Sequence, residues 1–239
     1  MDYCDVIETE GALLRATALV SGPDAAVPTC PGWTVQRLVG HMTRVFAMVV
    51  AALQAADPAV GPSRVAPTEG DFDTVLAGYD EQLAALLAAL RATDPAAPAW
   101  NFSPTAPKTA AFWSRRMAHE CTVHRIDAEA AVGRESSVDP DLAADGIDEV
   151  LTRLIQRWTD QWATAELAGT VLYHAADAGR AWAVRFVPGQ IPQTAPEAVA
   201  EPDASVVGLA DAAYRTAWGR PSGASVTGAT ELIHATRGR

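Results

Sequence analysis

The chain has 239 residues, 49% apolar and 20% charged, with 18 basic groups against 29 acidic ones for a formal charge of −11. That length and balance suit one large or two small soluble domains, each with a real core. The acidic surplus argues against a nucleic-acid partner, which needs basic surface against phosphate, and no apolar run reaches the roughly 20 residues of a membrane span.

Residues 2 to 20 read as a first helix, with Val6, Leu13, Leu14 and Ala18 as candidate buried positions. Its start, "MDYCDVIETEG", lacks the basic opening and apolar core of a signal peptide. Cys4, Cys30 and Cys121 show no CxxC spacing, so a reducing cytoplasm is the expected setting. Lys108 is the only lysine beside 17 arginines and alanine is abundant, the usage of a GC-rich genome such as an actinobacterial one. In "SGPDAAVPTCPGW" the prolines and glycines exclude regular structure, and Pro31-Gly32-Trp33 reads as a turn that aims the next helix.

Thr34 is placed to cap a second helix over 34 to 55. Its Val35, Leu38, Val39, Met42, Val45, Phe46 and Val49 follow the 3.6-residue period. After a Pro-rich loop over 57 to 68, Asp71 caps a third helix to 92, where Phe72, Val75, Leu76, Tyr79, Leu83, Leu86, Leu87 and Leu90 keep steps of three and four. A loop over 94 to 107 leads to a fourth helix over 109 to 132. Four amphipathic helices joined this way predict a four-helix bundle, and the long loops imply that at least one connection crosses it. A further helix is expected over 141 to 162. Beyond Gly169 the texture changes: "GTVLYHAAD", "RAWAVRFVP" and "GQIPQTA" are short runs bounded by Gly or Pro, which predict strands. Helices over 207 to 218 and 228 to 237 complete a small α+β unit. The fold class is therefore α+β, with a helical domain over 1–135 and an α+β domain over 139–239.

The chemistry concentrates in "MAHECTVHRIDAEA", residues 117 to 130. His119 and His124 are five apart, about 140° around a helix, and cannot share a ligand. Glu120 and His124 are an i, i+4 pair on one face, a face that also carries Trp113, Arg116, Met117 and Asp127. Mixed polar and apolar residues on one stripe suit a bundle interior that holds a site, whereas a plain surface ion pair would need no Trp or Met. Cys121, about 100° away, is expected to pack against a neighbouring helix. His41, on the border of the second helix's apolar stripe, is a third candidate donor, although a lone histidine there is more often a satisfied core residue. Two nitrogens and one oxygen would leave an open position on Zn²⁺, the mark of a catalytic site, and the same set can hold Fe(II). Asp127, one turn past His124, is a candidate to orient a ligand, with a surface carboxylate as the alternative.

The stretches "VPTCPGWTVQRLVGHM" (27 to 42) and "WSRRMAHECTVHRIDAEAA" (113 to 131) resemble the two signatures of the mycothiol-dependent maleylpyruvate isomerase family. "LAADGIDEVL", "GRAWAVRF" and "AYRTAWGR" resemble its C-terminal domain. The resemblance implies a DinB-like bundle followed by a sterol-carrier-protein-like unit. It implies zinc, or another divalent metal, on His41, Glu120 and His124, and a catalytic arginine best matched by Arg220. It also implies mycothiol, a low-molecular-weight thiol of actinobacteria, as co-substrate with a small electrophilic metabolite. Two outcomes share that machinery: cis–trans isomerisation of the maleylpyruvate type and thiol S-transfer. A hydrolase using metal-bound water and a non-catalytic small-molecule binder are the readings from other classes. Because the metal ligands offer nothing to grip an acidic substrate, Arg220 is expected to reach the metal across the domain junction, with Arg116 able to share or replace that role. Trp158 and Trp162 are expected to cover the junction.

Overall fold

The computed structural model describes residues 1–66 and 68–238; Pro67, within the expected Pro-rich loop, lies outside the described residues. Two compact units emerge, one from Met1–Phe102 with Pro107–Ser136, the other from Ser103–Ala106 with Ser137–Arg239. The short piece Ser103–Ala106, expected with the first domain, thus groups with the second.

The first unit is built from α1 (Tyr3–Ser21), α2 (Val35–Leu53), α3 (Phe72–Ala92) and α4 (Ala110–Ala131). The starts of α1, α2 and α3 have a local cause. The side chains of Asp2, Thr34 and Asp71 accept from the backbone N–H groups of Cys4, Arg37 and Thr74, satisfying amides that have no helical partner. The apolar stripes meet in one core, where Val35, Leu38, Val39, Met42, Phe46, Val49 and Tyr79 are shielded completely. Each such side chain contributes about 1.5–3 kcal/mol by leaving water. The register of α1 differs from expectation by one position. Leu14 and Ala18 are buried, but Leu13 is 46% exposed and Ile7 takes the inward place. Gly11 explains the shift: it brings α1 close to Leu83 of α3 and accepts the Tyr79 hydroxyl on its carbonyl at 2.9 Å.

α1 packs chiefly on α4, and α2 on α3. Because α1 also touches α3 and α2 touches α4, α3 and α4 lie diagonally opposite and the link between them crosses the bundle. Trp100 and Phe102 in that link lie against Trp113, and the Trp113 indole N–H donates to the Trp100 carbonyl at 2.6 Å.

In the second unit, α5 (Pro140–Glu149) is capped by Asp139. The single helix expected over 141 to 162 is not continuous. It widens to a π-turn over Val150–Leu154, tightens to a 3₁₀ turn over Ile155–Arg157, and breaks at Trp158 before α6 (Thr159–Ala163). Side chains from beyond these turns take the carbonyls a regular helix would use. Thr194 donates its hydroxyl to Leu151 and Trp162 donates its indole N–H to Ile155, each at 2.6 Å, and such insertions disrupt the helical ladder. Trp162 is buried there against Phe186, while Trp158 is 42% exposed.

Among the described residues, five strands form one sheet in the order β3-β2-β1-β4-β5. β1 (Gly169–Ala175) and β2 (Arg180–Phe186) make an antiparallel hairpin, and β3 (Gln193–Ala195) adds to β2. β4 (Ala204–Gly208) runs parallel to β1, with β5 (Ser225–Gly228) antiparallel at the edge. Neither β4 nor β5 was expected, and the start expected for the next helix at 207 falls inside β4. Helices α7 (Ala210–Ala217) and α8 (Thr230–Ala235) pack on β1 and β4, whose Val171, Tyr173 and Val206 alternate inward. Gly228 closes the edge with φ +82°, where a Cβ would collide with the Asp203 backbone. No helix among the described residues is long and apolar enough to cross a membrane.

Candidate metal centre

The face of α4 that carries Arg116, Glu120, His124 and Asp127 is turned inward, which excludes a solvated charge stripe: Arg116 is 3% exposed and Asp127 fully buried. A helix with so many buried polar groups needs partners for all of them. One set is structural. Arg125 donates to Glu10 of α1 at 2.6 Å and to Glu129 at 2.8 Å, and Ser136 donates to the other Glu129 oxygen.

The second set is the candidate site. His41, delivered by α2, places Nε2 3.2 Å from Glu120 Oε1, and His124 Nε2 lies 3.3 Å from the same oxygen. The donor atoms of His41, Glu120 and His124 all fall within 4.8 Å of one another. Arg116 donates to the other carboxylate oxygen, Oε2, at 2.9 Å, fixing the plane of the Glu120 carboxylate. The three side chains keep 23%, 17% and 10% of their surface in solvent, so the cluster is sheltered yet reachable. Behind it, His124 donates through Nδ1 to Asp127 Oδ2 at 2.8 Å.

Charge balance follows from these contacts. Burial alone would push the Glu120 carboxyl up, but hydrogen bonds from His124 and His41 and the charge of Arg116 outweigh it, holding the group well below the usual carboxylate range. Burial likewise opposes a charged His124, yet its bonds to Asp127 and Glu120 prevail and raise its pKa to about 8. Cys121 faces the core, and burial pushes its thiol well up, the state of an inert structural cysteine.

The residues fit a divalent cation. Two imidazole nitrogens and a carboxylate oxygen converge, the carboxylate is anionic, and Asp127 on Nδ1 directs the other nitrogen of His124 toward the cluster, as in carboxylate–histidine–metal arrangements. Arg220 belongs to the other unit. It follows α7, its guanidinium donating to the Trp218 carbonyl at 2.6 Å and its backbone N–H to Arg215.

The turn between α1 and α2 is legible in the sequence, but its contacts with the site are not. Thr29 donates to Asp127 Oδ1 at 2.6 Å, and the Cys30 thiol to Oδ2 at 3.4 Å. Trp33 lies over both imidazoles, its ring centre 5.1 Å from His41 and 6.3 Å from His124, nearly parallel to the latter. The available signal was the position of polar and aromatic residues in a proline- and glycine-rich turn immediately before the helix that bears His41.

No curated protein sequence matches the chain. Among solved structures, a mycothiol-dependent maleylpyruvate isomerase superposes with a TM-score of 0.67 at 15% identity, covering 94% of this chain and 91% of that one. A histidine-to-alanine mutant of a mycothiol-dependent maleylpyruvate isomerase gives 0.65 at 14% identity with the same coverage. At such identity these likenesses establish the fold. The family profile described as the mycothiol maleylpyruvate isomerase N-terminal domain matches residues 7–129, and the profile of the corresponding C-terminal domain matches 141–235. The chain, across both of its units, belongs to the mycothiol maleylpyruvate isomerase family.

Proposed function

We propose that the protein is a zinc- and mycothiol-dependent enzyme that isomerises a small cis-unsaturated acid of the maleylpyruvate type to its trans form. The observation that carries this reading is the convergence of His41, Glu120 and His124 on one sheltered but accessible point, in a chain of this family. His41, His124 and Glu120 would hold the metal. A divalent ion there, zinc by donor type with iron(II) as the nearest competitor, supplies Lewis acidity that favours thiolate over thiol. Mycothiol supplies a nucleophile that adds to the conjugated double bond and leaves again, so the bond turns while it is single.

The chain's own groups do the remaining work. Arg116 orients the Glu120 carboxylate, and Asp127 keeps the His124 proton on Nδ1. Arg220 grips the substrate carboxylate, a two-point contact suited to guanidinium. A local cation matters more in a chain of charge −11, whose overall field repels an anion. Free cysteines at 4, 30 and 121 suit a reducing cytoplasm, and mycothiol use suits an actinobacterial source.

Elemental analysis and turnover test the assignment together. Wild-type protein purified without chelator should carry about one zinc per chain, and His41→Ala should lose it while remaining folded. Arg220→Ala should keep its zinc and lose turnover of maleylpyruvate with mycothiol. Turnover undiminished when thiol is omitted would refute the thiol-dependent reading and favour hydrolysis by metal-bound water. Thiol retained on the product would redirect it to S-transfer.

A further inference from the structure

We infer that Thr29 and Cys30, in the turn between α1 and α2, are positioning residues for the metal-binding nitrogen of His124, acting through Asp127. The inference rests on the proposed metal-binding role of His124. Three donors from two separate segments converge on the Asp127 carboxylate: the Thr29 hydroxyl at 2.6 Å, His124 Nδ1–H at 2.8 Å and the Cys30 thiol at 3.4 Å. Asp127 has no solvent exposure, so the protein alone must hold it as an anion. With its first oxygen held by Thr29 and its second shared by Cys30 and His124, the carboxylate cannot rotate without breaking several bonds. That fixes the Nδ1 proton of His124 and leaves Nε2 as the nitrogen facing His41 and Glu120.

The turn is itself rigid enough to transmit position. Val27 and Trp33 pair across it, Cys30 N–H donates to Val27 and Trp33 N–H to Cys30, all at 2.9–3.0 Å. Gly32 supplies the φ of +78° that lets the chain turn back toward α2. The same turn lays the Trp33 ring nearly parallel to that of His124, limiting its tilt. Two loop donors and a ring wall thus act on one imidazole from outside its own helix.

Cys30, Asp127 and His124 also lie close enough to hold a metal themselves. The positioning role fits better, because Asp127 is fully buried whereas the His41–Glu120 side of the ring meets solvent.

The test compares Thr29→Val, which keeps shape but removes the donor, with Thr29→Ser, which restores it, and Cys30→Ala with Cys30→Ser. Each is loaded with Zn²⁺ in competition with a chromophoric chelator and with Co²⁺ for its visible spectrum; circular dichroism confirms folding. Thr29→Val should bind zinc about 10- to 100-fold more weakly with an altered cobalt spectrum. Thr29→Ser should recover both, and Cys30→Ala should show a smaller loss that Cys30→Ser reverses. Wild-type metal affinity and spectrum in both Thr29→Val and Cys30→Ala would overturn the inference. A sulfur-to-cobalt charge-transfer band in the wild type that vanishes in Cys30→Ala would also overturn it, by making Cys30 a ligand. Failure of the wild type to bind either metal would instead sink the metal-site reading beneath it.

Discussion

Raising the pH of the metal-free protein should weaken it through His124. In the fold this ring sits between two carboxylates, Asp127 on Nδ1 and Glu120 on Nε2, and both bonds require a proton. Its pKa is accordingly about 8 against an ordinary 6.5. The difference of about 1.5 units corresponds to about 2 kcal/mol of folding stability. Because the folded state prefers the protonated ring, that stability is complete below the ordinary value and disappears as pH rises through about 8. Urea titrations followed by tryptophan fluorescence, with chelator present, would measure it between about pH 6 and 9. The difference between wild type and His124→Gln should shrink by about 2 kcal/mol across that range. Loading with zinc should reverse the trend, since a ligand nitrogen must give up its proton and affinity then grows with pH. Wild-type and His124→Gln curves that run parallel throughout would refute the reasoning.

Arg125→Ala should destabilise the helical unit by about 3–5 kcal/mol, because it strands Glu129 in the interior without its cation; a loss under about 1 kcal/mol in urea melts would contradict a tight buried network. Gly228→Ala should destabilise the second unit by at least about 2 kcal/mol, combining a strained φ with a collision against Asp203, and leave metal content unchanged. A Gly228→Ala protein with the wild-type thermal midpoint would show that the β4–β5 edge gives way freely.

The helices of the first unit could be read because each carries its own instructions. Thr34 and Asp71 cap where they stand, and the spacing of Leu38, Met42, Phe46 and Val49 selects the inward face whatever packs against it. The Glu120–His124 pair was equally local, a matter of helical angle. What could not be read depended on partners remote in sequence. The π-turn over Val150–Leu154 meets the hydroxyl of Thr194, and β5 is a fully exposed four-residue strand whose pairing comes from β4. Its Ser225–Gly228 has too little alternation of character to announce itself. Thr29 and Cys30 escaped notice for a related reason: their partner Asp127 lies almost a hundred residues away, and nothing within the turn itself points to it.

The crossing of the bundle has a consequence for how the chain assembles. The main partner of α1 is α4, which begins about 90 residues after α1 ends, and His41 and Glu120 are 79 positions apart. Most helical bundles fold quickly because sequence neighbours dock first. Here that early route serves α2 and α3, while α1 gains its main partner only once α4 has been synthesised and has closed the largest loop. The candidate metal ligands His41 and Glu120 meet only at that late step. A metal bound across them would slow the opening of a finished bundle and do little to hasten its formation, since contacts made after the transition state act on the unfolding rate.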